Sequence, residues 1–416
     1  MSQKTTFKNR RLTSERQVIA FILLANLLLI CSISWKASLY LPTNHLDGAF
    51  QTAAGLFKMK SGQIPGIDFF PYLGIGPLVL IYPFFLVFGQ NLASTVFASY
   101  FITLLILSLT FIFSLTLITK IRLLSNRLIL AFIPTLFVTP AVWIKVSEIG
   151  LTQYFGFESL LELSNPGNSL RPLRSFAAWL LPATIYGIYS RYDNRRIGHI
   201  AMGFFTGLIA ILWSNDYGLV SSILGIFLYL IFVFRKSNNR GRDLTFWGLS
   251  LFSTVSILSS LILINGWSDS FFKYNFVDVR NDQFWYFGPW SITSRIFSFE
   301  DLFTQVIREQ VLIPLLLLIF LFILSATRSS KKLLTMSFIG LGLFLGGCIA
   351  TVGGHTSNYF TPFKLWAIYS TFALMISLIR FGIFQHKLIK NKNKKVGGGD
   401  GAIGIFDIYS PPYSYF

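Results

Sequence analysis

The sequence predicts an all-α polytopic membrane protein of about ten transmembrane helices, with juxtamembrane helices at its outer face. Three observations predict it. Of the 416 residues, 53% are hydrophobic and 12% charged, whereas a soluble domain has roughly a quarter of its residues charged. The apolar residues gather into runs long enough to cross roughly 30 Å of hydrocarbon. The Lys and Arg residues behind the net charge of +18 stand in short clusters between those runs, the arrangement that orients a membrane protein and not one that binds nucleic acid. Soluble enzymes, secreted disulfide scaffolds and disordered polymers are excluded. Cys31 and Cys348 lie in separate apolar runs without metal-ligand spacing, so neither a zinc cluster nor a disulfide framework is expected.

The apolar runs lie near 17–40, 92–119, 127–145, 175–190, 197–215, 217–234, 243–265, 309–326, 333–353 and 360–383. The first has no Ala-x-Ala site after its basic start and is expected to stay as a helix. The stretch 72–89, YLGIGPLVLIYPFFLVFG, is short and carries Gly74, Gly76, Pro77 and Pro83. If it crossed, the basic clusters would alternate between the two sides. If it lies in the outer interface or re-enters, the clusters at the N-terminus, Lys120/Arg122/Arg127, Arg191/Arg195/Arg196, Arg235/Lys236/Arg240/Arg242, Arg328/Lys331/Lys332 and Lys387–Lys395 all fall on the cytoplasmic side, as the positive-inside rule requires. The division follows: a cytoplasmic basic N-terminus (1–16), a membrane domain (17–386) with a first outer loop at 41–91, and a cytoplasmic, basic and disordered tail (387–416). The plasma membrane is the expected location, with both ends cytoplasmic. Three long outer segments remain, 41–91, 146–174 and 266–308, and most of the acidic residues lie at or beyond the outer helix ends. Any chemistry is therefore expected outside.

The first outer loop reads LPTNHLDGAFQTAAGLFKMKSGQIPGIDFFPYLG. Leu46, Phe50, Ala53, Ala54 and Phe57 recur at helical spacing, so 45–60 reads as an amphipathic helix on the membrane, ended by Gly62 and Pro65-Gly66. Asp47 then falls in its first turn, where it is either a dipole-favoured acid behind an Asn44 cap or a functional carboxylate. An Asp just after the first span, an amphipathic helix, an IPGIDFFPYLGIGP segment, an interfacial helix ending in Phe88-Gly89 and then the second span form an order that resembles the GT-C superfamily of polyprenyl-phosphate-sugar-dependent glycosyltransferases, in its protein mannosyltransferase and aminoarabinose transferase branch. The resemblance covers roughly the first 125 residues and is topological beyond them. It departs at Asp47-Gly48, where members often have Asp-Glu, and at Gly74–Leu78, where they carry a Lys or His before Pro-Pro-Leu.

The resemblance implies a GT-C-like fold, and transfer of a sugar from a polyprenyl-phosphate donor to a glycan, lipid or protein acceptor at the outer face, with membrane lipids as surroundings. It makes Asp47 the catalytic base or its electrostatic partner. Such chemistry needs a carboxylate at the acceptor hydroxyl and fixed positive charge at the departing phosphate. Asp68 is a candidate auxiliary acid if the short helices fold back, or a turn cap. Arg171 and Arg174 in SNPGNSLRPLRSF are outward exceptions to the basic bias and candidate phosphate ligands, or they snorkel to headgroups. Lys58, with Lys60, is a second basic candidate, and His355 in TVGGHTSNYF could bond phosphate or sugar or be structural. Asn215-Asp216 places another acid near the cavity or makes the tight turn between two spans, the turn being the preferred reading. Glu148, Glu158 and Glu162 form an outer acidic patch. No cofactor is expected and no metal is assigned, although a carboxylate pair could hold a divalent cation. The aromatic residues of 266–308 suit an interfacial belt, or sugar and isoprenoid packing. A lipid-sugar flippase and an O-antigen polymerase are the other readings. Few charges inside the spans apart from Lys36 argue against the first, and Arg280, Arg295 and Arg308 in the third outer segment keep the second open.

Overall fold

In the computed structural model, residues 2–39, 46–71, 74–119, 125–130, 132, 170–191, 196–214, 216–236, 239–264, 273–278, 311–351 and 360–396 are described. Numbered in chain order, the helices are α1 (Ser2–Leu39), α2 (Leu46–Lys60), α3 (Ile75–Val87), α4 (Leu92–Ile118), the single turn α5 (Arg171–Arg174), α6 (Ala177–Arg191), α7 (Arg196–Leu212), α8 (Tyr217–Lys236), α9 (Arg240–Ile264), α10 (Leu312–Thr327), α11 (Lys331–Thr351) and α12 (Thr361–Val396). A π-helical turn covers Tyr274–Asp278. No strand forms among the described residues, which hold one isolated bridge, Pro65 to Phe69.

Among the described residues, five helices are long and apolar enough to cross a membrane: Glu15–Leu39, Leu92–Ile118, Tyr217–Arg235, Lys331–Ala350 and Thr361–Arg380. Ile75–Val87, Arg196–Leu212 and Leu312–Thr327 are apolar but shorter. The expected span at 127–145 lies mostly outside the described residues. At the other end of the chain, α12 continues to Val396, ten residues past the expected limit of the membrane domain. The Lys-rich segment that was assigned to the tail is thus helical up to Gly397. Lys is a good helix former.

Packing fixes which helix ends lie together. Ala37 at the end of α1 clusters with Val96 and Tyr100 at the start of α4 and with Ala49 of α2. Segment 40–91 therefore leaves and rejoins the bundle at one level and makes no net crossing. Its α3 has 13 residues, about 20 Å of rise, and packs alongside the first half of α4 through Phe84–Phe101 and Phe88–Phe97 ring contacts. A capping box of Asn91 with Ser94 starts α4, each side chain paired with the other's backbone at 2.8 Å. These bonds satisfy donors that the first turn would otherwise leave open.

The basic clusters converge on the opposite end. Lys332 Nζ donates to Thr116 O near the end of α4, and Arg127 donates to Thr116 Oγ1 at 3.1 Å. Lys331 lies over the rings of Tyr189 and Phe232, close to the last turns of α6 and α8. Arg196, starting α7, lies over Phe246 in α9. Among the described residues, these basic side chains share one end of the bundle, and α2 with the start of α3 lies at the other. Between them, α11 is the buried central helix, joined to α4, α6, α8, α10 and α12 in the core.

Candidate functional site at the loop end of the bundle

Helix α2 appears where the periodicity places it, and its large rings and its small residues take different surroundings. Phe50 and Phe57 are exposed, while Thr52, Ala53 and Leu56 are buried. The small residues let α2 approach α3 and α4 closely, and the two phenylalanines, seven residues apart on one face, are left for lipid. Asp47 is in the first turn of α2; its side chain lies outside the described residues.

At the far end of α2 the chain closes tightly. Lys58 O accepts from the Gln63 N–H, and Lys58 Nζ sits 5.2 Å from the centre of the Phe69 ring. Asp68 is exposed, and its carboxylate accepts from the Ile64 N–H at 2.7 Å while its own N–H donates to Ile64 O. The geometry is that of a turn cap. This turn is tied to Lys58, eleven residues along the helix from Asp47, a helical rise of about 16 Å.

The IPGIDFFPYLGIGP segment then enters the bundle. Gly74 has φ +83° and lies against the backbone carbonyl of Trp213. A left-handed conformation and a contact that leaves no room for a Cβ together demand glycine there. Gly76 lies against the indole face of the same tryptophan. Trp213 Nε1–H donates to Arg174 O at 2.6 Å, and its ring packs near Phe176. Leu170 and Leu173 share one apolar cluster with Ile30, Leu56, Phe69, Leu78 and Phe97. The first outer loop and the RPLR turn are thus one packing unit.

Arg174 is 5% exposed and its Nη1 lies 3.1 Å from Asp216 Oδ2. A guanidinium so buried does not reach headgroups. Asp216 is more than the tight turn its sequence suggests, because Oδ1 accepts from the Tyr217 N–H at 2.8 Å while Oδ2 faces the arginine. Ser214 Oγ, close by in sequence and buried, has no hydrogen-bond partner among the described residues, and a buried hydroxyl left in that condition calls for a reason. Arg171 opens the same short turn, its side chain outside the described residues. His355, Glu148, Glu158 and Glu162 also lie outside them. Of the third outer segment, Tyr274 is described, and its ring stacks on Phe70 with centroids 5.4 Å apart. The first and third outer segments therefore meet through an aromatic pair.

Sequence reasoning missed a second buried polar group, at the basic end. His199 of α7 and Asp243 of α9 are 2% and 3% exposed, with His199 Nε2 3.6 Å from Asp243 Oδ2. Tyr229 Oη of α8 donates to Asp243 O at 3.0 Å. Its one proton is thereby used, so His199 Nδ1–H must be the donor in the 3.1 Å contact to Tyr229 Oη. That leaves Nε2 facing the carboxylate at 3.6 Å. Trp247 stacks on Tyr229, and Tyr189 and Phe232 meet edge-on beside them. The available signal was an acid in the first turn of a span and a histidine in the first turn of another, both just after basic clusters.

Among the described residues no group of three His, Cys, Asp or Glu side chains gathers. Comparisons with protein-family models, with curated proteins and with solved structures find no match to this chain.

Proposed function

We propose that this chain is a glycosyltransferase of the plasma membrane that moves a sugar from a polyprenyl-phosphate donor to a glycan, lipid or protein acceptor at the outer face. In this reading the chain crosses about ten times, with both termini and every basic cluster in the cytoplasm. One observation carries it most: the GIGP start of α3 docks on Trp213, whose indole N–H holds the Arg174 carbonyl. The loop that bears Asp47 is thereby coupled to the RPLR turn at the end opposite the basic clusters.

Asp47 is the base. It takes the proton of the acceptor hydroxyl as that oxygen bonds to the anomeric carbon from the face opposite the phosphate, and the C–O bond to the phosphate breaks. The lipid phosphate leaves with the bonding pair. Because Arg174 shares its charge with Asp216, we assign it to positioning the turn and assign Arg171 to the phosphate. Asp68 and Lys58 order the loop behind Asp47, and the Phe70–Tyr274 pair offers an apolar platform for sugar or isoprenoid. His355 remains a candidate ligand of phosphate or sugar. The donor is lipid-linked because nucleotide sugars stay in the cytoplasm.

The experiment is a turnover assay on the full chain reconstituted in lipid with a panel of polyprenyl-phosphate sugars. Asp47→Asn should lower turnover by about a hundredfold or more, the range for a lost general base. Full turnover by that variant would remove the assignment. A second reading, a lipid-sugar flippase, draws on the buried His199–Asp243–Tyr229 group, since ionisable groups inside helical bundles mark transport paths. Movement of the lipid-linked sugar across the bilayer without bond cleavage would favour it. The group's place at helix starts, away from mid-span, favours the transferase.

A further inference from the structure

Helices α7 and α9 approach closely through Gly203-Phe204-Phe205-Thr206-Gly207, a small-xxx-small pattern. Gly203 lies against the Trp247 carbonyl, and Gly207 faces Thr254. Beside this contact the two helices leave an open groove of about 450 Å³, walled by Ile200, Phe204 and Leu208 on α7 and by Phe246, Leu249 and Ile257 on α9, among others. Two of its hydroxyls are turned back on the helices, Ser250 Oγ donating to Ile200 O and Thr254 Oγ1 to Ser250 O, and a third, Ser253, lies exposed at its edge. What the groove presents is hydrocarbon. Along α9 it runs from Phe246 to Leu258, about 18 Å at 1.5 Å per residue, which is close to the depth of one leaflet of a hydrocarbon core roughly 30 Å thick.

The groove has a charged mouth at its Arg196 end. Arg196, one turn before Ile200, is exposed and lies 5.5 Å over the Phe246 ring. It has no carboxylate within ion-pair distance among the described residues. The nearest acid along α9, Asp243, is buried and already faces His199 and Arg242. A leaflet-deep apolar channel that starts at an exposed guanidinium matches a molecule with a long chain and an anionic head.

We propose that the groove between α7 and α9 binds an anionic phospholipid of the leaflet at the basic end, its acyl chain along Ile200–Leu208 and Phe246–Leu258 and its phosphate at Arg196. The site lies away from the Trp213–Arg174 unit and does not depend on the transferase reading. The phosphate accepts from the guanidinium, and the chain covers the exposed walls of the groove.

Native mass spectrometry of the full chain in detergent, titrated with phosphatidylglycerol, phosphatidylcholine or a polyprenyl phosphate, tests it. Phosphatidylglycerol should bind in preference to phosphatidylcholine, and Arg196→Gln should weaken it about fivefold, the effect of one basic side chain near a membrane surface, while Arg196→Lys retains most of it. Ser253→Trp, which fills the groove from an exposed position, should remove the adduct, and both variants should keep the wild-type unfolding temperature. Equal binding of the two phospholipids, wild-type affinity in Arg196→Gln or in Ser253→Trp, or tighter binding of the polyprenyl phosphate than of phosphatidylglycerol would each overturn the proposal.

Discussion

The two ends of the bundle each bury a carboxylate, and they hold it in different ways. At the loop end Asp216 faces Arg174, and a backbone N–H satisfies its other oxygen. At the basic end Asp243 faces His199 within a tyrosine network, with Arg242 as a half-exposed second partner at 3.5 Å. The distinction lies in the partner's freedom to become neutral. A guanidinium keeps its charge at any accessible pH, whereas an imidazole can release a proton when its counter-charge is removed. The loop end is therefore a fixed electrostatic joint, suited to holding a turn in one geometry. The basic end is an adaptable one.

This contrast can be broken by removing each acid in turn. Asp216→Ala strands a buried guanidinium and should cost about 3–5 kcal/mol, read as a fall in unfolding stability in micelles. Asp243→Ala should cost less, by about 2 kcal/mol, because His199 can turn neutral. Equal losses would mean that the two ends work alike. Next in size, Gly203→Leu should push α7 from α9 and lose about 1–3 kcal/mol through overpacking. It should leave turnover at the loop end unchanged. Tyr229→Phe removes a hydroxyl with two partners and should cost about 1–2 kcal/mol. Smallest, Trp213→Phe keeps an aromatic ring beneath Gly76 but deletes the hydrogen bond to Arg174 O, at about 1 kcal/mol. Because that bond couples the first loop to the RPLR turn, turnover should fall even where folding does not. An unchanged rate would separate the two elements functionally.

Much of this organisation is legible in the sequence because it rests on local rules. The α2 boundaries, the non-crossing 72–89 stretch and the gathering of basic clusters at one end follow from periodicity, length and charge counted along the chain. What could not be read depends on partners distant in sequence. Asp216 has the spacing of a turn residue, and only tertiary contact with Arg174 makes it a buried ion. The periodicity of α2 does not tell that its buried contacts go to alanine, threonine and leucine while the large rings stay exposed, because small residues allow the close helix packing. His199 and Asp243 look like ordinary first-turn residues until α7 and α9 are laid side by side. The Phe70–Tyr274 stack joins segments whose proximity no pattern announces.

The claim beneath the functional reading is that the loop end faces outward. It is tested most directly by labelling intact cells with a membrane-impermeant maleimide, using chains in which Cys31 and Cys348, the two free cysteines, are replaced by serine. One new cysteine is placed at the exposed Ser61 and another at Gly241, where an added Cβ meets open space. Ser61→Cys should label from outside, and Gly241→Cys only after the membrane is permeabilised. Labelling of Gly241→Cys with protection of Ser61→Cys would put Asp47 in the cytosol and contradict the account.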